Sequence, residues 1–426
     1  MSGVKYMEFK MDNSGILHMA VRGGGRSNTF RLAVTLKDRV CPERLNEAFH
    51  RIAPRFPTIV AGIRNGFYHH YVVPAKVCPD VQPDYGTLMY MALSEIKSCA
   101  MRVYYSEYQI ITEFFHSLTD GYGGIVFTKT LVAEYLGESV EAVCGDNVIS
   151  EETDDSFMKF AGRKKKRFNN VKAYLPFKEE KGYELHTTTG IFDVEALLEQ
   201  AHRHNISLTV FLTAVMSEAL LEMQESFGNR KKRPVQIMVP VNLRNIFPSR
   251  TMRNFSLYAL PRVDSGDGKS FAQIASGIEM QMKEQLSEEY LMAMMATNAM
   301  LERNVFMRYI PLKLKCAALK TGFFICGEKT SCLTLSNLGQ VHFPESFGEN
   351  VVRADFILSP RLRSAYNCGV ITCGNKLYFN FSRSCREPVL EQIFFRRLSE
   401  MDCVPAVEID GAHTELASFL KRKAKI

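Results

Sequence analysis

A highly charged stretch divides this 426-residue chain into two parts of similar character. The segment 138–182 contains an acidic run at 151–155 and a basic run at 163–167, whereas strand-like and helix-like patterns alternate on both sides of it. A chain of this length usually exceeds what one hydrophobic core can bury. We therefore expect an N-terminal domain over residues 1–182, which ends in this charged crossover, and a C-terminal domain over residues 183–426.

The composition is typical of a soluble globular protein, with 46% hydrophobic and 23% charged residues. The net charge of +7 would attract an anionic ligand but is too weak to indicate nucleic-acid binding. The eleven cysteines form no Cys-x-x-Cys pair, which predicts neither a zinc site nor a disulfide framework. The N-terminus carries charges where a signal peptide needs an apolar core, and no apolar run is long enough to span a membrane. We therefore expect a cytoplasmic protein with no metal, no transmembrane segment and no nucleic-acid partner.

Hydrophobic periodicity predicts alternating strands and helices in the first half. Residues 29–40 alternate like a strand, and Pro42 then opens an amphipathic helix. Residues 59–73 predict a hairpin that turns at an Asn-Gly pair, and residues 100–115 predict two further strands. A glycine-rich stretch follows, and a helix is expected over residues 125–135.

The second half repeats this mixture of strands and helices less regularly. Helices are expected over residues 194–204 and 208–227, with a long helical region over 271–323 that is interrupted at Pro311. The class predicted from both halves is therefore mixed α+β, with a sheet in each half. The strands expected in the second sheet are 184–191, 235–241, 255–260, 330–341, 351–358 and the hairpin 369–381.

The most informative motif lies where the strand-like run 100–115 ends. His116 stands there, four residues before the pair Asp120-Gly121. A histidine fixed at a strand end, with a pKa near the working pH, is suited to act as a general base. A structural hydrogen-bonding role is the alternative for His116 taken alone. Asp120 is better suited to hold the loop through an arginine than to relay a proton.

Two later segments supply candidate partners for this motif. Arg244 follows a buried-type strand and is the best candidate to pair with Asp120, with Arg250 and Arg253 as rivals. Ser336 and Asn337 come at the end of another strand. The Ser336 hydroxyl or the Asn337 amide can donate a hydrogen bond to an oxyanion, although the Asn-Leu-Gly sequence suits a turn equally well.

In this order and at these separations, the three segments resemble the chloramphenicol-acetyltransferase-like acyltransferase superfamily, which includes condensation domains and alcohol acetyltransferases. The resemblance covers about residues 30–400. It implies two similar α/β sandwich domains that form a V, with a central active-site tunnel where a thioester donor meets an acceptor. It further implies that His116 is the base, that Asp120 and Gly121 complete its motif, and that Arg244 is the structural partner of Asp120.

The residue before His116 separates branches of this superfamily. The fuller condensation motif has a second histidine there, whereas this chain has Phe115, as is common among members that use coenzyme A. The plant-type Asp-Phe-Gly-Trp-Gly motif is absent, since the chain has no tryptophan. Basic runs such as 163–167 and 229–233 are expected to be solvated surfaces or, alternatively, contacts for the phosphates of coenzyme A.

The resulting expectation is a CoA-dependent O-acyltransferase without a bound cofactor. Acyl-CoA would be its co-substrate, and an acetyl or short-chain acyl group would pass to a small alcohol or lipid-like acceptor without a covalent intermediate. Two alternatives remain open. One is a condensation-type domain that takes its thioester from an acyl-carrier protein and uses an amine or alcohol acceptor. The other is a non-catalytic relative that acts as a binding module.

Overall fold

The computed structural model describes residues 7–23, 28–139, 143–145, 147–162, 171–176, 185–227, 232–266, 268–299, 304–323, 327, 329–360 and 364–421. The strands are β1 (Phe9–Lys10), β2 (Thr29–Leu36), β3 (Ala61–Asn65), β4 (His70–Pro74), β5 (Gln82–Pro83), β6 (Met101–Tyr105), β7 (Gln109–Phe115), β8 (His186–Asp193), β9 (Val235–Asn242), β10 (Ser256–Ala259), β11 (Arg262–Val263), β12 (Leu333–Val341), β13 (Val351–Leu358), β14 (Tyr366–Cys373), β15 (Lys376–Arg383), β16 (Ala406–Ile409) and β17 (Ala412–Thr414). The helices are α1 (Asn13–Val21), α2 (Pro42–Ile52), α3 (Leu93–Ser98), α4 (Gly121–Leu136), α5 (Ser156–Phe160), α6 (Val194–Arg203), α7 (Leu208–Ser226), α8 (Phe271–Gln285), α9 (Glu288–Asn298), α10 (Val305–Arg308), α11 (Leu312–Gly322), α12 (Glu345–Gly348), α13 (Val389–Ser399) and α14 (Leu416–Lys421).

These strands form two main sheets and one small sheet. The larger sheet has the order β10-β9-β12-β14-β15-β8-β16-β17, with β11 also paired to β9. The second has the order β13-β2-β7-β6-β5, and the small sheet has the order β1-β4-β3. The two largest clusters of buried apolar side chains centre on the two main sheets. The predicted α+β class, with a sheet in each half, is confirmed.

Strand β13 corrects the predicted strand assignment. The sequence pattern predicts residues 351–358 in the second sheet, but β13 pairs antiparallel with β2 of the first sheet, with Ala354 opposite Val34. Strand character is a local pattern, whereas the choice of partner depends on contacts far away in the chain. Gly369 of β14 packs so tightly here that a Cβ atom on it would lie 2.0 Å from the carbonyl oxygen of Phe356. Strand β13 therefore links the two halves.

Helix α4 begins four residues earlier than predicted. Asp120 is its N-cap, and the Asp120 side chain accepts a hydrogen bond from the backbone N–H of Gly123 at 3.2 Å. Glycine has low helix propensity, so the sequence alone favoured a loop, but the capping aspartate offsets that cost. The helix ends at Gly137, whose φ of 88° lies in the left-handed region that a glycine C-cap adopts.

Other predicted elements agree with the structure, and some predictions fall where the structure gives no description. Strands β3 and β4 form the predicted hairpin, with Asn65 opposite His70. The helical region also breaks between α8 and α9, in addition to the break before α11. The boundary at residue 182, the basic run 163–167 and residues 229–231 of the second basic run lie outside the described residues.

Within the described ranges, no single helix is long and apolar enough to cross a membrane. Helices α6 and α7 pass that test only as a pair, bent by 84°. The same ranges contain no cluster of three or more His, Cys, Asp or Glu side chains that could hold a metal ion. Each cysteine that the structure describes is a free thiol.

Candidate active site

His116 lies directly after β7, at the end of the central strand of the first sheet. Its backbone N–H donates to the carbonyl oxygen of Asn28 at 3.0 Å, which ties the turn to the start of β2. The ring of Phe30 packs edge-on against the imidazole, with 5.2 Å between ring centroids. The histidine is therefore fixed by the sheet end and by an aromatic neighbour.

Asn254 sets the tautomer of the His116 imidazole. Its Nδ2 donates to the carbonyl oxygen of His116 at 2.9 Å, and its Oδ1 lies 3.2 Å from His116 Nδ1. A carbonyl oxygen only accepts hydrogen bonds, so this contact fixes which way the Asn254 amide points. Oδ1 must then accept the proton of Nδ1–H, which leaves His116 Nε2 with the basic lone pair.

Asp120 holds the chain segment that carries Asn254. Its Oδ2 accepts from the backbone N–H of Phe255 at 2.8 Å, one residue beyond Asn254. The same oxygen accepts from Arg244 Nη1 at 2.8 Å. Asp120 is therefore connected to the His116 ring through the backbone of Phe255 and the side chain of Asn254.

Arg244 clamps the same segment from the other side. Its Nε donates to the carbonyl oxygen of Thr251 at 2.9 Å, and its Nη2 donates to that of Arg253 at 2.6 Å. Its Nη1 also donates to Asn242 Oδ1 at 3.0 Å. The Arg244–Asp120 ion pair is buried, and these additional hydrogen bonds compensate the desolvation of the guanidinium. The pair predicted from the sequence is thus present, and the rival Arg253 instead lies near Asp12 at 3.4 Å.

His18, which the sequence analysis did not select, stacks on His116. The two imidazole rings lie 4.3 Å apart between centroids and are inclined by only 9°. Helix α1 presents His18 from the N-terminal end of the chain, about a hundred residues before the motif. The one sequence signal was a histidine within an otherwise apolar helix, which does not by itself indicate a site.

Burial keeps both stacked histidines neutral. It lowers the pKa of His116 below its ordinary value of 6.5, while hydrogen bonds to the backbone of His116 and Thr119, the charge of Asp120 and the hydrogen bond to Asn254 oppose that shift. The pKa of His18 is lowered further, by burial and by repulsion from His116. At neutral pH the His116 ring is therefore available as a base.

A cavity of about 1060 Å³ connects these elements. It is lined by His18 and His116 from the first half and by Ser336 and Asn337 from the second, with Gly121 between them. The described lining includes one lysine and one carboxylate, and its other side chains, the two neutral histidines included, carry no charge. Residues that are more than two hundred positions apart in the sequence therefore border one space.

Gly121 and Asn337 have local structural roles at this cavity. A Cβ atom on Gly121 would lie 2.5 Å from Leu338 Cδ2, so a larger residue here would displace the end of the Leu338 side chain. Asn337 Oδ1 accepts from the backbone N–H of Gly339 at 2.8 Å, and its Nδ2 donates to Thr209 Oγ1 at 3.2 Å. Asn337 and Gly339 both lie inside β12, where the pairing with β14 shifts register between Asn337 and Gln340 and Gly339 has a φ of 75°. The Asn-Leu-Gly sequence therefore forms an irregularity within the strand, not a turn at its end.

No family model and no curated protein matches the sequence. Solved structures do match over nearly the whole chain. The TRI101 protein of F. sporotrichioides, solved with coenzyme A and T-2, is 11% identical over 91% of this chain and 97% of its own, with a TM-score of 0.62. Polyketide synthase associated protein 5 from Mycobacterium tuberculosis is 13% identical over 91% and 96%, with a TM-score of 0.58.

The starter condensation domain of rhizomide synthetase RzmA, solved with C8-CoA and Leu-SNAC, is also similar. It is 12% identical over 92% of this chain and 93% of its own, with a TM-score of 0.58. Identities this low establish the fold and nothing finer. The chain therefore has the chloramphenicol-acetyltransferase-like fold that these acetyltransferase and condensation-domain structures share.

Proposed function

We propose that this protein transfers an acyl group from a CoA thioester to the hydroxyl of an acceptor bound in the central cavity. The observation that carries the proposal is the His116 imidazole. Asn254 orients it so that Nε2 is basic, burial keeps it neutral, and it borders a cavity large enough for substrates. The similar TRI101 structure holds coenzyme A, which supports a CoA thioester as the donor.

The chemistry needs only proton transfer and positioning, because a thioester carbonyl is already activated. His116 Nε2 takes the acceptor's hydroxyl proton as the oxygen attacks the carbonyl carbon, which forms the new C–O bond. When the C–S bond breaks, the imidazolium returns the proton to the leaving sulfur. The products are an ester and free coenzyme A, and His116 is neutral again. No acyl-enzyme intermediate forms in these steps.

Ser336 is our candidate donor to the oxyanion of the tetrahedral intermediate. It borders the cavity on β12, whereas the side-chain amide of its neighbour Asn337 is directed at Thr209 and Gly339. A fixed hydroxyl donor stabilises the charge that develops on the carbonyl oxygen. Asp120 and Arg244 hold the 251–255 segment and thereby the ring of His116.

The cavity lining favours an uncharged acceptor. Asp120 and Lys315 are the only Asp, Glu, Lys or Arg side chains among the described residues that line it. Apolar side chains such as Leu17, Ile125 and Leu257 make up much of the rest. An alcohol with an apolar body would bury surface here without leaving a charge unpaired.

Product analysis tests this proposal. The protein is incubated with mixed acyl-CoAs and a cellular metabolite extract, and new esters and released coenzyme A are identified by mass spectrometry. We expect an ester whose formation needs both the protein and His116, so His116→Ala serves as the matched control. Product formed from an acyl-carrier-protein thioester but not from acyl-CoA would show that the donor is the carrier protein. Absence of any acylated product from either donor would overturn the proposal.

A further inference from the structure

We propose that an exposed aromatic patch on this protein binds the surface of an anionic lipid bilayer. The patch consists of Phe67, Tyr68, Phe306, Tyr309 and Leu314. Four of these side chains are far more exposed than large apolar residues usually are, at 70% for Phe67, 88% for Phe306, 60% for Tyr309 and 62% for Leu314. Apolar side chains that cluster in solvent mark an interaction site more often than scattered ones do.

Contacts between two chain segments make the patch one surface. The rings of Phe67 and Tyr68, in the loop between β3 and β4, lie 4.7 Å apart. The Tyr68 ring lies 5.6 Å from that of Tyr309, and the backbone N–H of Leu312 donates to the carbonyl oxygen of Phe67 at 2.9 Å. Lys315 Nζ also donates to the carbonyl oxygen of Tyr68 at 3.1 Å. The hairpin loop and the α10–α11 segment therefore share an exposed aromatic cluster of Phe67, Tyr68 and Tyr309, and the exposed Phe306 and Leu314 belong to the same α10–α11 segment.

The charge around the patch selects an anionic occupant. Residues 304–323 contain four cationic side chains and no Asp or Glu, in a chain whose whole net charge is +7. Arg308 borders a pocket that also contains Glu8, Asp154 and Asp155, so part of its charge is balanced nearby. Lys313 and Lys320 are exposed on α11, and their charges are the ones available to attract anionic headgroups. Lysines beside aromatic and leucine side chains are typical of segments that lie on anionic membranes.

The shape of the patch favours a bilayer over a folded partner. Phe67 stands at a loop tip, and Phe306 and Tyr309 project from a short helix and the turn after it. Exposed aromatic side chains at a loop tip and at the end of a short helix can enter the headgroup region of a bilayer, whereas a protein partner needs an extended complementary face. The patch is therefore suited to peripheral binding at a lipid surface.

Helix α11 lies between this surface and the cavity. Its outer side exposes Lys313 and Leu314, while Leu319 and the following Phe323 line the cavity. This arrangement would let an apolar alcohol dissolved in the bilayer enter close to the patch. That substrate class rests on the proposed function, whereas the membrane binding itself does not.

Vesicle flotation tests the binding directly. The purified chain is mixed with vesicles of phosphatidylcholine alone or of phosphatidylcholine with phosphatidylserine, at low and high salt. We expect the wild type to float with the anionic vesicles at low salt and to float less at high salt. A triple variant, Phe67→Ser, Phe306→Ser and Tyr309→Ser, should lose about tenfold or more of this binding.

The matched control replaces equally exposed apolar residues elsewhere, with Val77→Ser, Met280→Ser and Val404→Ser, whose native side chains are 79%, 70% and 62% exposed. The control should float like the wild type, and Lys313→Glu with Lys320→Glu should weaken binding to the anionic vesicles only. Unchanged thermal unfolding shows that the variants are folded. Wild-type protein that fails to float, or a triple variant that floats equally well, would overturn the proposal.

Two further outcomes separate this proposal from others. Concentration-dependent dimers that the triple variant abolishes, without vesicle binding, would assign the patch to a second copy of the chain and contradict the membrane. His116→Ala should float like the wild type, since the patch is not part of the proton chemistry. Flotation without any acyl transfer would therefore overturn the proposed function alone.

Discussion

His116 and His70 are held in the same way but face different surroundings. His70 Nδ1 lies 2.8 Å from Asn65 Oδ1, as His116 Nδ1 lies 3.2 Å from Asn254 Oδ1. The Nε2 atom of His70 lies 3.6 Å from the Sγ atom of Cys316 in a packed interior, and only 4% of the residue is exposed. His116 instead borders the cavity. An oriented imidazole is therefore not enough, and access to a substrate distinguishes a base from a structural histidine.

The same comparison explains the proton affinities of the two rings. Burial lowers the pKa of His70 to about 4, with repulsion from His69 adding to the effect. Burial also lowers the pKa of the His116 imidazole, but there the Asp120 charge and the Asn254 hydrogen bond oppose the shift. The Asp120 charge, which has no counterpart at His70, favours the protonated ring that forms when His116 accepts a proton.

The largest expected effect is on activity at His116. His116→Ala removes the proposed base, and we expect the rate of acyl transfer to fall by about a hundred- to ten-thousandfold. His70→Gln is the matched change at the other histidine, and the folded fraction of that variant should keep its rate. Rates are measured as coenzyme A release, with thermal unfolding in parallel. Full activity in His116→Ala would contradict the assignment.

Asp120→Asn tests whether the Asp120 carboxylate stabilises the structure through its ion pair or transfers protons during the reaction. It leaves Arg244 without its buried partner, so the free energy of unfolding should fall by about 3–5 kcal/mol, together with activity. The exposed pair of Arg203 and Glu199 provides the control, since Glu199→Gln should change stability little. Denaturant unfolding gives the free energies. Activity lost at unchanged stability would instead indicate that Asp120 relays protons.

His70 should make stability depend on pH. The pKa of His70 is near 6.5 in the unfolded chain and about 4 in the folded protein. Between pH 4 and pH 6.5 the unfolded state therefore binds one more proton than the folded state. Stability should therefore fall as the pH is lowered through this range, by about 2 kcal/mol from pH 7 to pH 5. Denaturant unfolding of the wild type and of His70→Gln measures the difference. Equal pH slopes in the two proteins would show that His70 does not titrate in this way.

The smallest expected effect concerns His18. His18→Ala would admit water beside His116, so the pKa of the His116 ring should rise toward 6.5 and the rate should fall by about three- to tenfold. His18→Phe keeps an aromatic ring in the stack, and its pH profile should stay close to that of the wild type. The pH dependence of kcat/KM measures both. Equal profiles for the Ala variant and the wild type would leave His18 without a role in tuning the base.

Local patterns in the sequence predicted most elements and part of the site. The Asn65-Gly66 turn and the Pro42 helix start each depend on neighbouring residues, so they could be identified without the fold. The motif at His116 and its ion pair with Arg244 could be anticipated because the resemblance supplied the pairing that sequence separation hides. The oxyanion role of Ser336 remains a prediction.

The missed features depend on contacts between distant segments. Asn254 and His18 reach His116 only after the chain folds, and neither carries a local signal that distinguishes it from a surface or core residue. The partner of β13 is likewise chosen across more than three hundred residues, with Ala354 opposite Val34. Helix α4 was predicted too short because the low helix propensity of its glycines hid the cap at Asp120.

The most direct test of the account is the pH dependence of kcat/KM for the wild type. A neutral His116 that accepts the acceptor's proton predicts a plateau at neutral pH and a fall through a single protonation below 6.5, since burial lowers its pKa. An inflection at or above 6.5, or the same inflection in the residual activity of His116→Ala, would contradict a buried neutral imidazole as the base.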